Sequence, residues 1–576
     1  MKKLLPYLKP YTKECIISPL FKLLEAAFDL LVPFVVKDMI DVGIANGDKP
    51  HIWILCGVLV LFALIGLGCS FTAQYFAAKA AVGFSSDLRY ALFAHIQDFT
   101  YEQTDRTGSS TLITRLTADI NQIQSGLNLT LRLLLRSPII VFGAMIMAFI
   151  VDARSAWIFA VVIPLLAVVV FTVMLAGVPL YRKVQQNLDR VTTVTRENLS
   201  GVRVIRAFRK ETEEIARFEE ANAAHNRILN HVGKISALMN PITLLIVNGG
   251  MIVLLLSGAI RVDQGRMTTG EVFAMTNYLS QILVELVKMA NTIISVNKAL
   301  ACAGRVEAVL ETPAGMKVGS GTDTRDTKDD AVSLIHVGLT YSGNSEPSLS
   351  DINLNVKKGE TVGLIGSTGS GKTSLIHLLT RFYDTTEGTV SLNGTNICNI
   401  PLDELRKRIA IVPQKAVLFQ GTIRSNLLWG NANATDGELW AALEAAQAKE
   451  FVQAKEGGLD APVEAGGKNF SGGQRQRLTI ARALVQQAEI LILDDASSAL
   501  DYATDAALRH ALRTLPYRPT VFIVSQRTAS IRHADQIMVL EDGESVGVGT
   551  HDWLLEHCDV YREIHESQFR KGGDEA

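Results

Sequence analysis

The sequence predicts a chain in two parts: a membrane α-helical half of six spans, followed by an α/β P-loop nucleotide-binding half. Three observations carry this. Of 576 residues, 48% are hydrophobic and 20% charged, with mean hydropathy +0.21, which is too apolar for a soluble α/β protein of this length. Residues 52–78 contain no charged side chain and are long enough to cross a bilayer core. Residues 366–373 read G-S-T-G-S-G-K-T between an apolar, strand-like run (361–365) and a helix-like one (374–379), which is G-x-x-x-x-G-K-[ST] in its strand-loop-helix setting.

The membrane half is expected over residues 1–310. The leading MKKLLPYLKPYTKE is basic but lacks an apolar core ending in small residues, so it reads as a lead-in helix and not as a cleaved signal. Spans are expected at about 16–40, 52–78, 137–151, 156–180, 235–260 and 271–296. The first carries Lys22, Glu25 and Asp29, and the last Glu285 and Lys288. Charges in hydrocarbon are costly, so these either line a watery cavity or pair with one another between helices. Basic residues crowd the N-terminus and the long segments 79–136 and 181–234, which puts both chain ends and both segments on the cytoplasmic side. Those segments are helical in composition, so the spans should run on well past the bilayer. At their tips, residues 101–110 and 207–218 read either as solvated turns or as short docking helices.

The net charge of −2 offers no basic face for nucleic acid. The six cysteines form no C-x-x-C pair and have no histidine at ligand spacing, so they read as packing residues. Residues 311–330, ETPAGMKVGSGTDTRDTKDD, are a polar linker. From 331 to 576 short β-type runs alternate with helical ones.

Within that second half, glycines at 366, 369 and 371 let the backbone N–H groups of Gly366, Ser367, Thr368, Gly369, Ser370 and Gly371 curl around phosphate at a helix N-terminus. Lys372 is placed to reach the β and γ phosphates of ATP, Thr373 to ligate Mg²⁺, and Ser374 continues the loop into the helix. The buried run EILILD ends in Asp494, a second candidate for Mg²⁺. Gln414, in IVPQ, is a candidate metal ligand that also faces the attacking water, and Tyr341 a candidate adenine-stacking ring or an ordinary strand aromatic. The run Ser471, Gly472, Gly473, Gln474 opens a second helix and is another potential anion site. Two phosphate sites so far apart in sequence fit a head-to-tail dimer in which each chain closes the other's site.

In this order, the spans, the linker, the P-loop, Gln414, Ser471 to Gln474, Asp494 and the stretch from Ser498 to Asp501 resemble the half-transporter type of ATP-binding cassette (ABC) exporter over nearly the whole chain. The resemblance implies a domain-swapped dimer in a bacterial-type inner (plasma) membrane, with two interfacial ATP sites, and export of an amphipathic or hydrophobic substrate. It also implies that Tyr341 stacks on adenine, that Asp501 belongs to the D-loop, and that the segments near 104–110 and 207–214 are coupling helices.

Two positions depart from the family pattern. Asp495 stands where the family has a catalytic Glu after the Walker B Asp, and Gln526 where it has the switch His. An Asp carboxylate is one methylene short of the attacking water, and a misplacement of about 1 Å can cost about a hundredfold in rate. Gln526 can still donate a hydrogen bond to the γ phosphate but cannot carry charge or shuttle a proton. The signature meanwhile keeps its Ser, both Gly and Gln. The expectation is therefore a heterodimer in which this chain supplies a poorly hydrolysing site and completes the partner's competent one. The alternatives are a slow homodimeric exporter and an ATP-gated, channel-like relative.

Overall fold

The structure is a computed structural model and describes residues 3–316 and 329–569, so most of the expected linker lies outside the described residues. The chain divides into two compact units. One comprises residues 1–97 and 108–313; the other comprises 98–107 together with 314–576.

The first unit is all helix. Among the described residues, five continuous helices are long and apolar enough to cross a membrane: Lys49–Gln97, Ser109–Val151, Ala153–Ala207, Glu211–Asp263 and Thr269–Glu311. At 1.5 Å per residue the 49-residue helix Lys49–Gln97 is about 74 Å long, far more than a bilayer needs. The helices therefore do extend beyond their apolar stretches. Helix Thr12–Asp38 packs alongside and carries the charges that keep it from reading as a plain span.

Small residues set how closely these helices approach. Cys69, Ala73, Ala77, Ala80 and Phe84 are buried along one stripe of Lys49–Gln97, where the Ala73 carbonyl accepts from Ser18 Oγ at 2.9 Å. A Cβ on Gly126 would sit 2.2 Å from Ala299 Cβ, and one on Gly143 2.4 Å from Leu30 Cδ1. The charges flagged in the sequence are paired. Lys22 Nζ contacts Glu25 at 2.6 Å; Arg136 bridges Asp29 and Glu285 at 2.8 Å each; Lys288 and Ser137 complete Glu285 at 3.0 and 2.9 Å. Paired ions are what the low-dielectric interior of a bundle tolerates.

One expectation is corrected here. Residues 207–218 hold no separate short helix: Ala153–Ala207 ends, three residues turn, and Glu211–Ala237 begins. Acidic residues Glu211, Glu213 and Glu214 crowd that first turn, where the helix dipole favours them, so the segment starts a long helix.

The second unit is α/β. A six-stranded sheet has the order Glu544–Gly549, Gln536–Glu541, Thr361–Gly366, Thr520–Val524, Ile490–Asp494, Ile409–Val412, and only the first pair is antiparallel. A four-stranded antiparallel sheet has the order Leu349–Lys357, Asp330–Leu339, Glu387–Leu392, Thr395–Asn396. The central strands Ile490–Asp494 and Thr520–Val524 are buried along their whole length, as parallel strands covered on both faces must be. The short helix Tyr101–Thr107 belongs to this unit: Tyr101 stacks on Phe382 at 4.0 Å between centroids, and Asp105 accepts from Tyr383 Oη at 2.5 Å.

Candidate ATP site

Sheet register assembles the site. Strand Thr520–Val524 lies between the other two, pairing Val524 with Leu364 on one side and with Asp494 on the other. The C-terminal ends of three strands therefore open together, at the edge where parallel α/β sheets bind ligands. The loop 366–371, the pair Asp494 and Asp495, and residues 525–527 meet there.

The loop's glycines are required by its own surroundings. A Cβ on Gly366 would lie 2.1 Å from the Leu540 carbonyl oxygen; Gly371 has φ +96°, and its Cβ would lie 2.9 Å from Ser348 O and 2.6 Å from Leu349 Cδ2. Lys372, the first residue of helix Lys372–Leu379, folds back so that Nζ donates to Gly366 O (3.0 Å), Ser367 O (2.6 Å) and Ser370 Oγ (3.2 Å). Burial pushes its ammonium pKa down, against the pull of Asp495 and Asp494.

The two carboxylates are held above the usual range. For Asp494 burial dominates, the neighbouring Asp495 adds to it, and Lys372 opposes. For Asp495 burial again dominates, against a hydrogen bond with Gln414 and the charges of Arg527 and Lys372. Two adjacent, partly desolvated carboxylates facing a loop of N–H groups gain by sharing a cation, so these residues fit a magnesium–triphosphate ligand. Thr373 is exposed in the helix's first turn. Asp495 itself has φ +48°, with its N–H bonded to Val524 O at 3.1 Å. Asp is one of the few side chains that adopts this conformation readily.

Other expected residues are less directly placed. Tyr341 Oη donates to Ser374 Oγ at 3.0 Å, and its ring meets Tyr383 edge-on at 5.0 Å, beside a cavity of about 330 Å³ lined by Glu102, Thr340 and Thr386. Ser471 caps helix Gly472–Val485 in a reciprocal box with Gln474 (3.3 and 3.1 Å) and is exposed. Among the described residues no hydrogen bond or ion pair joins this turn to the P-loop. Asp501 caps helix Tyr502–Arg513, accepting from Thr504 N at 2.8 Å and Thr504 Oγ1 at 2.9 Å. Gln526 is exposed just past strand Thr520–Val524. A larger cavity of about 740 Å³ lies at the opposite ends of the strands, by Thr361 and Val521, and holds none of these residues.

Sequence reading missed Arg527, whose guanidinium lies 5.3 Å over the Tyr502 ring and whose charge reaches Asp495. It also missed Tyr383 and Phe382, the receptors for helix Tyr101–Thr107. Aromatic residues at 382 and 383, just past the P-loop helix, were the available signal.

Residues 15–286 match the profile of the ABC transporter transmembrane region, and residues 349–498 that of the ABC transporter ATP-binding domain. An uncharacterized ABC transporter ATP-binding protein of Mycobacterium tuberculosis (strain CDC 1551 / Oshkosh) is 37% identical over 98% of this chain and 97% of its own. This chain belongs to the ABC transporter family. The ATP-dependent lipid A-core flippase of Thiobacillus denitrificans (strain ATCC 25259 / T1) is 32% identical to this chain, with 98% of both chains covered. A bacterial Atm1-family ABC exporter solved with ATP bound shares the fold, with TM-score 0.78 over 98% of this chain and 99% of that one at 23% identity. This ABC transporter is thus a multi-pass membrane protein whose ATPase domain couples ATP hydrolysis to transport.

Proposed function

We propose that this exporter works as one subunit of a heterodimer, in which its own P-loop site binds ATP and hydrolyses it slowly while its signature turn completes the partner's competent site. The observation that carries the reading is Asp495, whose carboxylate is one methylene shorter than the Glu of the family pattern, with the uncharged Gln526 two residues past the end of the neighbouring strand. A general base must reach its water, and a carboxylate drawn back by one methylene falls short of it.

In this reading the N–H groups of residues 366–371, with Lys372 and Ser374, hold the phosphates, and Tyr341 swings from Ser374 to stack on adenine. Thr373, Gln414 and Asp494 hold Mg²⁺, which when bound neutralises charge on the phosphate oxygens. Ser471 to Gln474 and Asp501 serve the partner's nucleotide. Residues 1–310 form the membrane domain and 331–576 the ATPase domain, with both chain ends cytoplasmic and the protein in the inner membrane. Relatives named lipid A-core flippases support an amphipathic, membrane-derived substrate.

The test is ATPase activity of the chain alone and co-purified with a co-encoded half-transporter, each with Asp495→Glu and Ser471→Ala. Activity should need the partner, vanish with Ser471→Ala and rise with Asp495→Glu. Rapid turnover by the chain alone with Asp495 essential would make it a homodimeric pump.

A further inference from the structure

We propose that Gln568, on the C-terminal helix Asp559–Phe569, is a positioning residue that straps the loop carrying Gln526 in place at the ATP site. The inference rests on the reading of Gln526 as a γ-phosphate contact. It goes beyond that reading by assigning the loop's placement to a helix that no motif covers.

The geometry is a two-point amide bridge. Gln568 Oε1 accepts from Thr528 N at 3.0 Å and from Thr528 Oγ1 at 3.1 Å, while Gln568 Nε2 donates to the Gln526 carbonyl at 2.7 Å. The partners fix which way the amide points, because a backbone N–H needs the oxygen and a carbonyl needs the NH₂. One side chain thus holds the loop on both sides of Arg527. The Thr528 hydroxyl hydrogen goes to Gln568, which leaves its lone pair for His565 Nδ1 at 3.1 Å.

The strap is anchored at its far end. Tyr561, His565 and Gln568 follow at spacings of four and three, on one face of the helix. Tyr561 is fully buried and its hydroxyl meets His551 Nδ1 at 2.7 Å, so the face that carries Gln568 cannot drift from the core. On the other side, Ser525 N bonds Leu364 O at 3.1 Å, next to the P-loop strand's end. The loop 525–528 is therefore pinned to the P-loop strand at one end and to the C-terminal helix at the other. The Gln526 side chain itself is exposed.

The experiment uses the full-length protein with Gln568→Ala, Gln568→Glu, Gln526→Ala and the Gln568→Ala/Gln526→Ala double variant. Amide exchange is followed over 525–530, and the probe is a fluorescent ATP analogue with Mg²⁺. Gln568→Ala should speed exchange at Thr528 up to about tenfold and weaken the analogue about two- to tenfold, the range one hydrogen bond commands. The double variant should bind no more weakly than Gln526→Ala, because the strap acts through Gln526. Gln568→Glu keeps the acceptor for Thr528 and loses the donor to Gln526, so exchange at Thr528 should stay slow while binding weakens. Unchanged exchange in Gln568→Ala, or a binding loss that simply adds to that of Gln526→Ala, overturns the strap. If Gln526→Ala binds normally while Gln568→Ala exchanges faster, the strap stands and the phosphate-contact reading of Gln526 falls.

Discussion

The chain has two glycine-rich helix starts, and they are built in opposite ways. At the P-loop, Gly366 and Gly371 are hemmed in by their own chain, with backbone oxygens of Leu540 and Ser348 where any Cβ would go. At the signature turn, a Cβ on Gly472 would meet nothing within 4 Å, and one on Gly473 only Ala499 O at 3.1 Å. Glycine in a helix costs about 1 kcal/mol against alanine, so an unhindered glycine at 472 has no reason within this chain. In the function proposed above, what requires it is the partner subunit's nucleotide docking from outside. The P-loop is finished by its own fold, whereas the signature, in that proposal, is finished by the partner.

Substitutions sharpen the contrast. Gly366→Ala should have the largest effect, destabilising the nucleotide-free protein by about 2–4 kcal/mol through the clash with Leu540 O and abolishing ATP-analogue binding; thermal unfolding and a binding titration check both. Ser471→Ala removes a helix cap and should cost about 1 kcal/mol in stability, while eliminating ATPase activity of the assembled transporter. Gly472→Ala should leave stability equal or up to about 1 kcal/mol higher and still lower assembled ATPase. If Gly472→Ala unfolds the chain instead, the contrast between the two turns is lost.

The smallest effect is a pH dependence at Asp495. Burial raises its pKa in the folded protein, so the folded state prefers the neutral acid and the ionised group opposes folding near neutral pH. Asp495→Asn should therefore raise the melting temperature slightly at pH 7.5. The gain should vanish as pH falls below the ordinary carboxylate pKa, where Asp495 is protonated folded or unfolded. A constant gain across pH would assign the effect to something other than charge.

How much of this was readable depended on whether the physics is local. Loop 366–374 was legible because its strand, turn and helix lie within a few residues. Long helices were legible from hydropathy, yet the turn at 207–210 was not, since nothing in AFRKETEEIARF separates a short docking helix from the first turns of a long one. The charges Asp29 and Glu285 left open whether they pair or line a cavity, because Arg136, the partner they share, is 107 positions from one and 149 from the other. Gln568 was invisible for the same reason: its hydrogen bonds cross 40 and 42 residues to a loop that has no sequence link with it.

Helix Tyr101–Thr107 has a consequence for the order in which the molecule is made. Its aromatic and acidic contacts, Tyr101 on Phe382 and Asp105 on Tyr383, join residues translated roughly 280 positions apart. At about 5–20 residues per second, the tip waits on the order of 15–60 s after emerging before its receptor exists. A segment made in the first fifth of the chain is thus completed only by residues made about two thirds of the way along it.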